Sequence, residues 1–411
     1  MVKDRSPSMR DRRHWLAAIV ALSIAIANSW RAGSVSDRSV PGLRSLTLPA
    51  RQVHIDDPAV ASGIAYLVKQ QSPDGAWRSD RYATFKDGTA LTPLVVCALQ
   101  EAGGSPDAIR KGCEFLAKSI PVGDEGTLDY PAYTAALSVT ALSRELRRDP
   151  ELRKARDAWL KYLLERQLTE KLGWKPEDRE FGGWGYCRFI PKKPVPGAIA
   201  PPLIESNLSA TVFALDALRE AGVRDEAVYK KALVFVRSCQ NYASPLACIY
   251  IPELDGGFHF MYGDPVRNKA GAVPTMGDQP PSAFRSYGSA TADGYRALNC
   301  FIDKADDFRR GEAKTWLTAY FKPDSHPGKY IPTHEGNREA VYYYYAASVA
   351  KALRLAKVEK AGGKPWAQAL AAELRRRQRK DGSWANPVEL VREDEPLVAT
   401  ANAVVALSHC K

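Results

Sequence analysis

The sequence has no cysteine pair at metal-ligand spacing and no apolar run long enough to cross a bilayer. Its cysteines (Cys97, Cys113, Cys187, Cys239, Cys248, Cys300 and Cys410) are odd in number and irregularly spaced. That is a poor disulfide framework, and without a C-x-x-C pair a zinc cluster has no support. Cys97, Cys113 and Cys300 fall in apolar helical stretches and read as buried thiols. Clustered basic residues interleaved with exposed aromatics are also missing, which argues against a nucleic-acid partner. No cofactor-binding motif stands out. Disorder is excluded by composition: 45% of residues are apolar and 26% charged.

The longest apolar-leaning stretch runs from Trp15 to Ala27, short of the roughly 20 residues that span a membrane. Lys3, Arg5, Arg10, Arg12 and Arg13 precede it and "AIA" closes it, the pattern of a cleavable signal peptide. "RRHWL" loosely resembles a twin-arginine export signal. Residues 1–27 are therefore expected to be a signal peptide and 28–56 a linker, with the product periplasmic or extracellular. A retained anchor is the competing reading. Formal charge is +11, and loss of 1–27, with five bases and two acids, leaves +8. The bases are spread over helix-like stretches such as "ELRRRQRK", a solvated-face pattern. The net charge leaves attraction to an anionic membrane surface open.

From residue 57 a two-part phrase repeats. An amphipathic helix comes first; "ELRKARDAWLKYLLERQ" places Leu152, Ala155, Trp159, Tyr162 and Leu163 on one face. A glycine-marked turn follows, and then a nearly uncharged helix such as "PAYTAALSVTALS" or "EPLVATANAVVALS". The first kind begins near residues 57, 106, 151, 226, 308 and 366. A helix apolar all round must be surrounded by protein, whereas one with a charged face sits outside. The pattern predicts an all-α (α/α)6 toroid over 57–409, with six apolar helices ringed by six amphipathic ones.

Glutamine, glycine and tryptophan recur at fixed spacing in these turns: Gln71-Gly75-Trp77 and Gln378-Gly382-Trp384. Gln167 with Gly182-Gly183-Trp184, and Gln240 with Gly256-Gly257-Phe258, are looser copies, and Ile120 stands in the glutamine place of repeat two. The motif resembles the QW repeat of the squalene cyclase and protein prenyltransferase β-subunit superfamily, over most of the chain. The resemblance implies a double-ring helical toroid in which these residues are structural. The superfamily's Asp-x-Asp-Asp acid, Asp-x-Cys zinc pair, Asp-Asp-x-x-Asp magnesium site and Cys-Gly-Glu-Gln thioester are all missing. Paired carboxylates do occur, Asp56-Asp57 and Asp306-Asp307, but before outer helices, where they read as helix starts.

Outer-to-inner links are long in three repeats, roughly 168–206, 241–285 and 322–340. Helix alternation puts them on one rim, where long loops usually mark the working surface. Trp184, Tyr186, Phe258, Tyr287 and Tyr342 to Tyr345 are the candidate lining of a cavity for a hydrophobic, isoprenoid or lipid-like ligand. Asp293 is the candidate acid, with Arg296 at i+3 for an ion pair; Asp87 is a second candidate, or a cap of the first inner helix. His259, His326 and His334 share the rim without metal-ligand spacing. The expected role is an exported ligand-binding or scaffold toroid, with a divergent cyclase-like enzyme using an unfamiliar acid as the alternative.

Overall fold

The computed structural model describes residues 57–121, 126–145, 149–243, 253–274 and 283–411. The expected signal peptide and linker lie outside them. The outer helices are α1 (Pro58–Lys69), α3 (Pro106–Lys118), α5 (Pro150–Leu164), α7 (Glu226–Ser238), α9 (Asp307–Tyr320) and α11 (Trp366–Arg377). The inner ones are α2 (Leu91–Ala102), α4 (Pro131–Glu145), α6 (Leu208–Glu220), α8 (Gly288–Leu298), α10 (Tyr342–Leu355) and α12 (Pro396–His409). Each inner helix packs on the next, and α12 packs on both α10 and α2, so the ring closes. The fold is the expected (α/α)6 toroid. A two-residue hairpin, β1 (Lys360–Ala361) and β2 (Lys364–Pro365), joins α10 to α11.

Helix starts follow their local chemistry. Asp57 and Asp149 each precede a proline at the first helical position and accept a backbone N–H, Ala59 at 3.0 Å and Glu151 at 2.8 Å. Proline is tolerated there because that N–H has no helical partner. Asp306 departs from expectation. It caps nothing with its side chain; buried, it takes the Arg237 guanidinium at 2.8 Å and ties α7 to α9.

The recurring glutamine is a two-pronged tie between consecutive repeats. Gln71 Nε2 donates to Gly75 O and to Ala108 O in the first turn of α3, each at 2.9 Å. Gln167 repeats this on Gly182 and Val228, Gln240 on Gly256 and Arg309, and Gln378 on Gly382 and Ala59. Gly182, at φ +88°, lies so close to α7 that an added Cβ would sit 1.8 Å from Lys231 O. Only glycine permits both that backbone and that approach. The indoles of Trp77, Trp184 and Trp384 donate to Leu67 O, Leu163 O and Leu374 O near the end of their own outer helix. Their backbone amides donate to Thr92, Thr211 and Thr400 on the inner helix, as Phe258 does to Thr291. Repeat two lacks the motif, and Trp159 of the next outer helix supplies the missing indole bond to Leu116 O at 3.0 Å.

Candidate functional site

The three long links do pack side by side. Leu208 N donates to Phe260 O at 2.8 Å, and Arg267 meets Glu205 at 3.2 Å, joining the links before α6 and α8. Gly288 N donates to Pro327 O at 2.9 Å and Asn337 Nδ2 to Lys269 O at 3.0 Å, joining those before α8 and α10. His326 serves this seam. Its Nε2 accepts the Ser289 amide at 2.8 Å, which puts the proton on Nδ1, facing the Tyr330 hydroxyl at 2.9 Å. Burial, helped by the Arg338 charge, lowers its pKa to about 3, so the ring is neutral. Among the described residues no group of three His, Cys, Asp or Glu side chains is placed to hold a metal ion.

The expected lining residues are largely elsewhere. Trp184 and Phe258 are fully buried between the rings, where Phe258 fills the space left by the missing Cβ of Gly294. Tyr287 is buried against His326 and Tyr330 in the link seam. Tyr342 is buried too: its hydroxyl donates to Pro323 O at 2.6 Å, and Arg377 of α11 covers its ring at 3.7 Å. These four build the wall. Asp87 is exposed, stands four residues before α2 and accepts the Thr89 amide and hydroxyl at 2.9 Å; it does not cap the helix, whose N-cap Ala90 has no side-chain bond. Two clefts open away from the axis. One of about 400 Å³ lies beside α5, lined by Leu160, Leu164 and Leu172 among others, and one of about 60 Å³ lies between Phe284 and Trp316.

What faces the axis is a different set. Tyr133 on α4, Phe213 on α6, Tyr344 on α10 and Tyr186 in the link before α6 are only half-buried. Phe213 touches Tyr133 edge-on at 5.1 Å and Tyr344 at 6.2 Å, and Tyr186 meets Tyr130 at 6.1 Å. Helices α6 and α10 are not ring neighbours, so the Phe213–Tyr344 contact crosses the interior. Ser209 Oγ also reaches across, lying 2.8 Å from the Tyr344 hydroxyl. That hydroxyl donates to Asp293 Oδ2 at 2.7 Å, so Ser209 must be the donor in its own pair with it. Asp293 Oδ1 accepts from Ser348 and from Arg296 at 3.1 Å, and Arg296 goes on to Asp216. Burial raises the Asp293 pKa, and Arg296, Ser348 and Tyr344 oppose the rise without cancelling it. A hydrogen-bonded chain therefore runs Ser209, Tyr344, Asp293, Arg296, Asp216, from the mouth inward. Of the predicted residues, Asp293, Tyr186 and Tyr344 belong to this mouth.

Below it the inner helices end in charge. Glu101 of α2 takes Lys351 of α10 at 2.9 Å, His409 of α12 at 3.0 Å and Arg144 of α4 at 3.4 Å; Arg144 also takes Glu220 of α6 at 3.1 Å. Burial alone would raise the Glu101 pKa, yet Lys351, His409 and Arg144 outweigh it and hold the carboxyl well below the usual range. Five inner helices thus meet in one ionic floor. At the rim, Glu393 is buried and accepts the Tyr343 and Tyr344 amides at 2.8 and 2.6 Å, capping α10 from another link.

The architecture defines the class: an (α/α)6 toroid with a half-open aromatic mouth at the inner-helix N-termini and a charged floor at their C-termini. No protein-family model matches the chain, and neither does any curated protein sequence. Solved structures do. A type II terpene cyclase, MstE from Scytonema, in complex with geranylgeranyl dihydroxybenzoate as substrate, is 14% identical over 86% of this chain and 96% of its own, with a TM-score of 0.53. The GH76A α-1,6-mannanase of Salegentibacter sp. HEL1_6 is 10% identical over 85% and 97%, with a TM-score of 0.52. These likenesses establish the shared toroid fold.

Proposed function

We propose that the mouth formed by Tyr133, Tyr186, Phe213 and Tyr344 binds a hydrophobic small molecule, isoprenoid or lipid-like. One observation carries this. These large aromatics keep part of their surface uncovered on the inside of a ring most of whose other apolar side chains are buried. Leaving a Phe and three Tyr partly wet forgoes burial worth about 1.5–3 kcal/mol for a full large side chain, which a ligand would restore. One toroid of this fold binds a geranylgeranyl compound and another is a mannanase, so fold alone does not choose between lipid and sugar. The lining does. Its exposed surface is aromatic, and its buried carboxylate, Asp293, is already engaged by Arg296, Ser348 and Tyr344. The test is intrinsic fluorescence titration with geranylgeraniol against mannotetraose. Saturable quenching by the polyprenol, weakened at least tenfold in Phe213→Ala, is expected; response to the sugar alone would refute the reading.

A second reading rests on the Tyr344–Asp293 contact. A buried carboxyl with a raised pKa, bonded to a phenol that faces the mouth, is an arrangement for proton delivery to a bound alkene. Here Asp293, once it has taken a proton from solvent, would give it to the Tyr344 oxygen as the phenol gives its own to the alkene, and the resulting carbocation would lose a proton to water. Tyr344→Phe and Asp293→Asn should then bind the polyprenol normally and leave it unconverted. Equal product formation by wild type and both variants would remove this reading.

A further inference from the structure

The threonines that take the joint amides fix a level inside the ring. Thr92, Thr211, Thr291 and Thr400 face outward, to Trp77, Trp184, Phe258 and Trp384. A residue two places later on a helix points about 200° away, hence toward the axis. Those residues are Leu94, Phe213, Asp293 and Asn402. The floor gives the same register independently. Seven residues, nearly two turns and about 10 Å of helix, separate Leu94 from Glu101, Phe213 from Glu220 and Asn402 from His409. Counted back in the same way from Arg144 and Lys351, the other two axial residues are Leu137 and Tyr344. In ring order the six read Leu94, Leu137, Phe213, Asp293, Tyr344 and Asn402. Half of this level is apolar, and the other half is polar.

Asn402 is the polar member that serves nothing in the protein. Asp293 and Tyr344 are bonded to each other at 2.7 Å, and Ser209 gives its proton to the Tyr344 oxygen. The Asn402 amide carries two donors and an acceptor, yet makes no hydrogen bond among the described residues. From Leu397 to Leu407 every residue of α12 is buried except Val398 and Asn402, one turn apart on the axial stripe. We propose that Asn402 binds the neutral polar end of the ligand, a hydroxyl, and seats an isoprenoid alcohol head first with its chain toward the mouth. The proposal rests on the mouth reading above and names the group that the interior recognises. A hydroxyl both gives and takes a hydrogen bond, as the carboxamide does. A diphosphate suits this level poorly. It would meet the Asp293 carboxyl, and Arg296 behind it is already engaged by Asp293, Ser348 and Asp216. A hydrocarbon would leave the amide desolvated without a partner. Leu94, Leu137 and Phe213 supply the apolar half against which the chain lies.

The test titrates wild type and Asn402→Leu, by intrinsic fluorescence, with three probes. These are geranylgeraniol, its diphosphate, and the hydrocarbon with methyl in place of hydroxymethyl. Wild type should bind the alcohol at least tenfold more tightly than either analogue. Asn402→Leu keeps the side-chain volume and should bind alcohol and hydrocarbon alike, the hydrocarbon no more weakly than wild type does. Its melting temperature without ligand should not fall, because the lost amide holds no protein group. Equal binding of alcohol and hydrocarbon to wild type, tighter binding of the diphosphate, an undiminished preference in the variant, or a lower melting temperature overturns the proposal. Each of these leaves the mouth reading standing. Failure of wild type to bind either the alcohol or the hydrocarbon refutes both.

Discussion

Replacing Gln378 by methionine keeps side-chain length and removes the amide that joins the last repeat to the first. Two hydrogen bonds go, both 2.9 Å, to Ala59 O and to Gly382 O. At about 0.5–1.5 kcal/mol for each net bond, the loss is about 1–3 kcal/mol. Gln167→Met removes the equivalent pair at an internal joint, to Gly182 O and Val228 O, the latter on α7. If the ring is closed energetically as well as geometrically, the two substitutions should cost the same within about 0.5 kcal/mol. Urea unfolding followed by circular dichroism gives both values, and amide exchange in α1 reports whether the damage is local. In Gln378→Met, α1 should exchange faster than α7 while the fold persists. A cost under about 0.5 kcal/mol at Gln378 beside a full cost at Gln167 would show that the first and last repeats merely touch, and the closed-ring argument would fail.

Other substitutions test the joints and the floor. Trp384 packs against Gly63 of α1 and bonds to α11 and α12, whereas Trp366 caps the hairpin through Val358 O. Trp384→Ala should cost about 3–5 kcal/mol, more than Trp366→Ala, and equal melting temperatures would refute the ranking. Glu101→Gln leaves Lys351 and Arg144 facing an uncharged partner and should cost about 3–5 kcal/mol near neutrality. The Glu101 pKa is depressed on folding, so its contribution is complete above the unfolded value of 4.5 and disappears as pH falls through the folded one. The gap between wild type and variant should therefore close under acid. A constant gap down to about pH 2 would mean the cost is steric.

Repeat phase, helix starts and the glutamine joints were all legible in the sequence, because each is a short-range pattern. "QRKDGSW" carries its own acceptor glycine four residues on, and its other acceptor recurs at the next helix start. Of the mouth, Tyr186 and Tyr344 were legible, and Tyr133 and Phe213 were not. An inner helix is apolar on every side, so nothing marks Tyr133 and Phe213 as axial while Trp184 and Phe258 turn to the wall. The glycine approaches that seat neighbouring segments, such as Gly183 to Ser206 and Gly294 to Phe258, are long-range or shape-dependent. The floor left a trace that could have been followed. Glu101, Arg144, Glu220, Lys351 and His409 each sit in the last turns of an otherwise apolar helix, and their recurrence at one level in five repeats is itself a pattern. Read singly, each looks like a solvated helix end.

The joint between α12 and α1 has a topological consequence. Arg375 reaches Asp57 at 2.9 Å, Gln378 reaches Ala59 and Trp384 covers Gly63, so the end of the described chain grips its beginning as any repeat grips the next. Within a repeat pair such as α2 and α3, only residues 103–105 separate inner from outer helix. A short peptide bridging His409 to Asp57 would reproduce that connection. The chain could then be opened at Asp149 or Asp225 and still make every inter-repeat contact. The joint that closes the ring is built like the internal glutamine joints, so the ring can be opened at another inner-to-outer link without losing its closure.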